Sequence, residues 1–383
     1  TLIIITYLCM MIFGLIENIK GAVIPSIRME FAVDYTHIGQ MLFVASLGYL
    51  SATFFGGMAT EKYGLKNLFL AGGVLTIIST ALFGLMTNFY GVAAIYFLLG
   101  IGFGCFEVGV NALGAKIFVK NTAMMMNFMH LFFGVGATIA PRYAGKLIES
   151  GYSWKIVYVS SIVITLILLI LVLFTKFPDT EKEVEEEKIS FKELASSYKV
   201  WLVAIILGLF VMMETGTANW LVNYLQVERS LDIGNSTFYL TLFFVTFTFG
   251  RLVGGYLADK LGYIRSLLYF TLLGTLSLFG GIFLGQSFVV LFSITGFFVS
   301  IMFPTMMALI MKEFPNGVGA VMGFTITICG IFNMVGNWII GGINDLVGVS
   351  AGLISIGICG IVACILLLAL NAKAEVCGMN NRL

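Results

Sequence analysis

The sequence predicts an all-α membrane protein: twelve transmembrane helices in two pseudo-symmetric six-helix bundles around a central cavity. Three observations predict it. Charge is scarce, apolar runs recur at the length of a bilayer crossing, and one loop motif appears twice at a fixed spacing. Of 383 residues, 59% are hydrophobic and 11% are charged, against about 25% charged in a soluble domain. A soluble protein must show water a largely polar surface, so the missing charge places lipid around most of the chain. Mean hydropathy is +1.02. The formal net charge of +1 creates no global field that would gather nucleic acid or steer acidic solutes.

A helix needs about 20 apolar residues to cross a ~30 Å hydrocarbon core. Twelve runs meet that length, at 3–28, 36–59, 67–87, 90–116, 123–148, 154–175, 199–226, 236–258, 264–285, 288–312, 318–342 and 349–371. They are spans 1 to 12 below. Span 1 carries Glu17 and Lys20 near its centre and lacks a small-residue cleavage pattern, so it reads as a membrane helix and not as a secretory signal. The chain opens on Thr1 instead of Met, and a few residues are expected ahead of it. Connections are short except one, which holds Pro178-Asp179-Thr180 and the acidic run Glu181 to Lys188. It reads as a hydrated tether with a short interfacial helix near Phe191–Leu194. The expected organisation is an N-terminal bundle over 1–175, a cytoplasmic linker over 176–198, and a C-terminal bundle with a short tail over 199–383.

Basic residues set the orientation. Lys62, Lys66, Lys116, Lys120, the linker lysines, Lys260, Arg265, Lys312 and Lys373 fall on one side, against Arg28, Lys146, Lys155 and Arg229 on the other. The richer side is cytoplasmic, which places both termini and the linker inside a plasma (inner) membrane.

The third observation is the repeat. GGMATEKYGLKN (Gly56 to Asn67) joins spans 2 and 3, and GGYLADKLGYIR (Gly254 to Arg265) joins spans 8 and 9. At a constant offset of 198, Gly56, Gly57, Glu61, Lys62 and Gly64 match Gly254, Gly255, Asp259, Lys260 and Gly262. Two related halves follow. The glycines let helix backbones approach closely. The charges Glu61, Lys62, Asp259, Lys260 and Arg265, with Arg251 just ahead of the second copy, form a candidate gating latch. The simpler alternative is that they fix topology.

Ionisable residues at bilayer depth are functional candidates. Glu17, Glu107 and Glu214 lie near the midplane, counting about 1.5 Å per residue from the predicted helix ends. Three carboxylates at one level without partners cannot all stay ionised, so at least one is expected to exchange a proton. They are the candidate proton-coupling groups, and sodium is the alternative ion. Glu17 has a second possible role, a structural pair with Lys20 at i, i+3.

Around them lie Asn18, Asn111, Asn127, Asn219, Asn223, Asn333 and Asn337, with Trp220 beside Asn219. Amides and carboxylates make paired hydrogen bonds to vicinal hydroxyls, and an aromatic face covers the C–H side of a pyranose. The candidate substrate-binding set is therefore Asn18, Lys20, Glu107, Asn111, Asn127, His130, Glu214, Asn219, Trp220, Asn223 and Asn333. Each amide alone is equally suited to an interhelical hydrogen bond. His130 suits a proton relay or a structural bond. Arg142, after Pro141, suits a structural or gating pair.

The loop pattern G-x-x-x-(D/E)-(K/R)-x-G resembles the signature of the major facilitator superfamily, as does the six-plus-six layout. That resemblance implies alternating access by rocking of the halves. GIGFGCFEVGVNA (Gly100 to Ala112) in span 4 is similar to the Glu- and Asn-bearing fourth helix of the fucose–proton symporter family. MMNFMHLFFGVGATIAP in span 5, NIKGAVIP (Asn18 to Pro25) in span 1 and Phe303-Pro304 in span 10 extend the likeness. The resemblance implies proton- or sodium-driven uptake of fucose, glucose, galactose or similar hexoses, with coupling carboxylates in helices 1 and 4. Glu107 matches the helix 4 carboxylate and Asn111 its neighbouring amide. The implied helix 1 aspartate falls four residues before the proline, where this chain has Gly21. Glu17 lies one turn earlier.

Other classes are weaker. An exporter of amphipathic or cationic compounds would use some of the 19 methionines to line an adaptable cavity. An intramembrane enzyme needs a nucleophile–base pair or metal ligands, yet the two histidines, His37 and His130, sit in no HExxH, and no GxSxG occurs. A receptor usually adds a soluble domain. The six cysteines show no zinc spacing and mostly fall in apolar runs, as packing residues do. No cofactor or metal is expected. The expected partners are a monosaccharide and the bilayer, with no nucleic acid and a monomeric chain.

Overall fold

The structure, a computed structural model, describes residues 1–119, 122–178, 191–314 and 317–380, with backbone only at 122–124, 127, 191, 192 and 372–380. The acidic run Glu181 to Lys188 and Lys120, and the side chains of Asn127, Lys373 and Cys377, lie outside the described residues.

The long helices are α1 (Leu2–Phe31), α2 (Tyr35–Tyr63), α3 (Leu65–Phe83), α4 (Phe89–Ile117), α5 (Thr122–Glu149) and α6 (Trp154–Phe174). After a short helix at Phe191–Ser196 come α7 (Tyr198–Glu228), α8 (Ile233–Leu261), α9 (Tyr263–Phe283), α10 (Gln286–Glu313), α11 (Val318–Leu346) and α12 (Val349–Asn380). Among the described residues, eleven of these, all but α5, are long and apolar enough to cross a membrane. α5 reaches 28 residues. The short helix falls where the linker was expected to form one.

Three helices depart from the even spans that hydropathy predicts. α6 is interrupted at Ser161, whose hydroxyl donates to the Tyr158 carbonyl at 2.6 Å. α10 breaks at Ser300–Ile301 and restarts at Met302. Pro304 explains that break, because it has no N–H and its ring crowds the carbonyl four residues back. In the first turn of a restarted helix that N–H is not needed. α7 passes through a π-helical turn at Met212–Gly216, for which the sequence offers no proline or glycine pair. Side chains of α11 meet it there, and within α7 the Thr215 hydroxyl bonds the Val211 carbonyl at 2.8 Å.

The repeat is visible in the backbone. α2 and α8 are both 29 residues long. Asp34 caps α2 by accepting the His37 N–H at 2.8 Å, and Asp232 caps α8 by accepting the Asn235 N–H at 2.8 Å. These pairs stand 198 residues apart. At the other ends Gly64 (φ 82°) and Gly262 (φ 86°) turn the chain in the left-handed region that favours glycine. α2 packs on α4 and α8 on α10 in the same way. A Cβ on Gly100 would collide with the Ala45 carbonyl, and one on Gly296 with the Phe243 carbonyl. Ala45 and Phe243 are again 198 apart.

The earlier and later helices meet along α1–α7, α2–α11 and α5–α8. Gly21 on α1 lies so close to α7 that a Cβ there would strike the Ala218 carbonyl. At the end holding the α1–α2 and α7–α8 connections, Asp345 closes the α2–α11 seam. Its Oδ1 accepts the Tyr35 N–H at 2.9 Å, and its Oδ2 accepts the Thr36 N–H at 2.7 Å and the Thr36 hydroxyl at 2.6 Å. At the α5–α8 seam Arg142 donates to the Gly234 carbonyl at 2.9 Å and binds the first turn of α8.

Candidate functional site

A cavity of about 180 Å³ opens where α1, α2, α4, α5, α7, α8 and α11 converge. Its polar wall comes from Glu17, Asn18 and Lys20 on α1, Glu214 and Asn219 on α7, and Asn333 on α11. Its aromatic wall includes Phe13, Tyr49, Tyr96, Phe103, Phe133 and Phe244. The Tyr96 hydroxyl is held by Tyr158 at 2.8 Å.

The two lining carboxylates differ in company. Glu17 forms an ion pair with Lys20 on the same helix face, so this pair adds no net charge to the wall. Glu214 has no hydrogen bond or ion pair among the described residues, and it lies in the field of Arg251 of α8. Asn18 donates its amide to the Gly14 carbonyl at 2.8 Å.

On α11, Asn333 and Asn337 sit at i, i+4 and share a face. Asn337 Nδ2 donates to Asn333 Oδ1 at 2.9 Å. Asn337 Oδ1 accepts from Asn219 Nδ2 at 3.1 Å and from Trp220 Nε1 at 3.2 Å. The Thr215 hydroxyl lies 2.7 Å from Asn333 Oδ1. These bonds grip α7 on both sides of Gly216 and stabilise its π-helical turn, which carries Glu214. π turns recur at functional sites.

Six of the candidates, Glu17, Asn18, Lys20, Glu214, Asn219 and Asn333, thus face one cavity. Trp220 does not line it: fully buried, it stands behind the wall with its ring against Tyr35. Asn223 is buried one turn further on. Glu107 and Asn111 form a second polar patch, Asn111 Nδ2 donating to Glu107 Oε1 at 2.8 Å. His130 feels both Glu107 and Arg251.

Arg251 faces inward, its guanidinium 4.4 Å from the Phe247 ring centre and in the field of Glu214 and Glu107. Glu61, Lys62, Asp259, Lys260 and Arg265 lie at the repeated loops, the first four of them exposed and Arg265 also open to solvent. Lys62 lies over Tyr63 at 5.2 Å and Lys260 over Tyr256 at 6.0 Å. Residues left out of the sequence-level site are Asn337, Thr215, Tyr49 and Tyr96. Asn337 was legible among the bilayer-depth amides but not as a member of the binding set. The other three carry no signal in one dimension.

The wall can hold a solute that is uncharged, rich in hydroxyls and flat on one side. Amides offer donors and acceptors, and aromatic rings cover C–H faces. With Glu17 and Lys20 mutually cancelled, the remaining ionisable group in the lining is the Glu214 carboxyl.

The family model of the Major Facilitator Superfamily matches residues 6–332 and 231–376. The chain belongs to that superfamily, a family of transporters and not of enzymes, and is integral to a membrane. The fucose:proton symporter FucP of Escherichia coli, in one of its crystal structures, shares the fold with a TM-score of 0.67 at 19% identity, over 95% of this chain and 97% of that one. A Helicobacter pylori protein named as a putative glucose/galactose transporter is 25% identical over 319 residues, 78% of each chain. The cis,cis-muconate transport protein of Acinetobacter baylyi is 22% identical over 270 residues, 67% of this chain, and the match spans 65% of that protein's length.

Proposed function

We propose that the protein is a proton-coupled symporter of a hexose or deoxyhexose. The observation that carries this reading is the cavity wall, where Asn18, Asn219 and Asn333 stand among aromatic rings with one unpaired carboxyl, Glu214. The relative named for glucose/galactose transport agrees with it. Six helices over 1–175 and six over 199–383, joined by the linker 176–198, act as two bundles that rock about the cavity. Both termini face the cytoplasm of a cell whose plasma membrane holds a monomeric chain. Glu214 and Glu107 exchange the proton, while Glu17 stays tied to Lys20. No methionine is among the described cavity-lining residues, so the wall offers the exporter reading no support.

The test is uptake in proteoliposomes of purified full-length chain, with D-glucose, D-galactose and L-fucose offered under separate inward proton and sodium gradients. A proton gradient should drive accumulation of at least one sugar above equilibrium. Equal uptake with and without either gradient would sink the coupling, and no uptake of any sugar would sink the substrate class.

A further inference from the structure

Asn337 is 1% exposed and stands behind the cavity wall with its whole amide engaged. Its Nδ2 donates to Asn333 Oδ1 and to the Asn333 carbonyl, both at 2.9 Å. Its Oδ1 takes Asn219 Nδ2 and the Trp220 indole. An indole N–H can only donate. The Trp220 bond therefore fixes which end of the Asn337 amide is oxygen, and that choice propagates outward. Asn333 must accept from Asn337, and its Oδ1 also lies 2.7 Å from the Thr215 hydroxyl, whose single proton it shares with the Val211 carbonyl, so Oδ1 is turned towards this buried network and the –NH₂ is left for the cavity. Asn219 gives one N–H to Asn337 and keeps its Oδ1 for the cavity.

We propose that Asn337 is a positioning residue that sets the hydrogen-bond polarity of the binding site, donor at Asn333 and acceptor at Asn219. The site then selects a solute with one hydroxyl that accepts and a neighbouring hydroxyl that donates. This rests on the reading of the cavity as a hydroxyl-binding site.

Asn337→Asp is the informative change. It keeps both acceptor bonds, to Asn219 and Trp220, but has no proton for Asn333. The Asn333 amide then turns over to donate inward and shows the cavity an oxygen. In the reconstituted full chain, wild type should rank monofluoro analogues of its best sugar above the matching deoxy analogue at one ring position, because fluorine accepts and cannot donate. Asn337→Asp should raise KM for the parent sugar about tenfold, change the maximal rate far less, and abolish the fluoro preference. An unchanged KM and an unchanged analogue ranking would overturn the proposal.

A second measurement needs no solute. With Trp154, Trp201 and Trp338 replaced by Phe, the Raman band that reports indole N–H bonding isolates Trp220. It should be kept in Asn337→Asp and shifted in Asn337→Leu. A band shifted by Asp, or untouched by Leu, would refute the assigned orientation. Should Asn337→Leu fail to accumulate, the Asp variant alone decides. A wild type that takes none of the sugars would remove the hexose reading only, and the Trp220 band would still test Asn337.

Discussion

Glu17 and Glu214 line the same cavity, but Lys20 pairs directly with one, while the other has no ion pair among the described residues and only the more distant field of Arg251. Their substitutions should therefore behave differently. Glu214→Gln is expected to abolish proton-driven accumulation while leaving sugar counterflow, which needs no net proton movement, within a few-fold of wild type. Loss of counterflow as well would mean that Glu214 binds substrate only. Removing half of a sheltered ion pair is worse than removing both halves, because the survivor is left charged and unpaired. Lys20→Met should lower thermal stability more than the Glu17→Gln/Lys20→Met double change, by about 1–3 kcal/mol if the pair is as sheltered as its 14% and 30% exposures suggest. Gly21 explains itself at this scale. The family likeness implies an aspartate there, yet any side chain would drive α1 off the Ala218 carbonyl. Glu17, Glu214 and the amides were legible in sequence because charge and amide groups are rare at bilayer depth. The partner of Asn219, more than a hundred residues away, was not, since a hydrogen bond between helices leaves no local pattern.

Elements were legible where hydropathy alone decides, and all the long helices lie over the expected runs. The interruptions inside them were less so. Pro304 announces the break in α10, whereas the π turn of α7 depends on bonds from α11. Cutting those bonds should therefore act on α7. Asn333→Val is expected to relax Met212–Gly216 towards α geometry, seen as altered solvent labelling of a cysteine placed at Ala218, which lines the cavity and takes no part in those side-chain bonds. The helix caps give a pH prediction. The His37 backbone N–H, and then its side chain, hold the Asp34 carboxyl below its ordinary value; the Asn235 N–H does the same for Asp232. A carboxyl lowered in the folded state contributes stability above its unfolded value of about 3.9 and loses it as pH falls through the folded one. Melting temperature should thus respond to Asp34→Ala at pH 7, and the difference from wild type should shrink below about pH 4. A difference that persists in acid would assign Asp34 another role.

At the scale of the molecule, caps, turns and glycine contacts recur at the same 198-residue offset that the repeated GG loops show in the sequence. What the sequence concealed was which seams are shut. Asp345 grips the first turn of α2, and Arg142 grips the first turn of α8. Both bonds lie at the end opposite the exposed loop charges Glu61 and Asp259. Asp345→Ala removes three hydrogen bonds from one seam. It should shift the population towards conformations open at that end, read as a broader and longer distance distribution between spin labels at Met29 and Leu346. Both sites are exposed, at 71% and 87%. An unchanged distribution would show that the seam is held by packing alone.

The π turn also bears on how such proteins diverge. A π segment holds one residue more than the α register around it can absorb. Loss of a single codon between 212 and 216 would restore an unbroken helix and leave the flanking residues, Asn219 and Trp220 included, on the faces they hold now. Only the residues of the turn itself, Glu214 and Thr215 among them, would be re-aimed at the cavity, without any side chain having been exchanged. Solute preference in a lineage of this kind can therefore change by insertion and deletion as readily as by substitution.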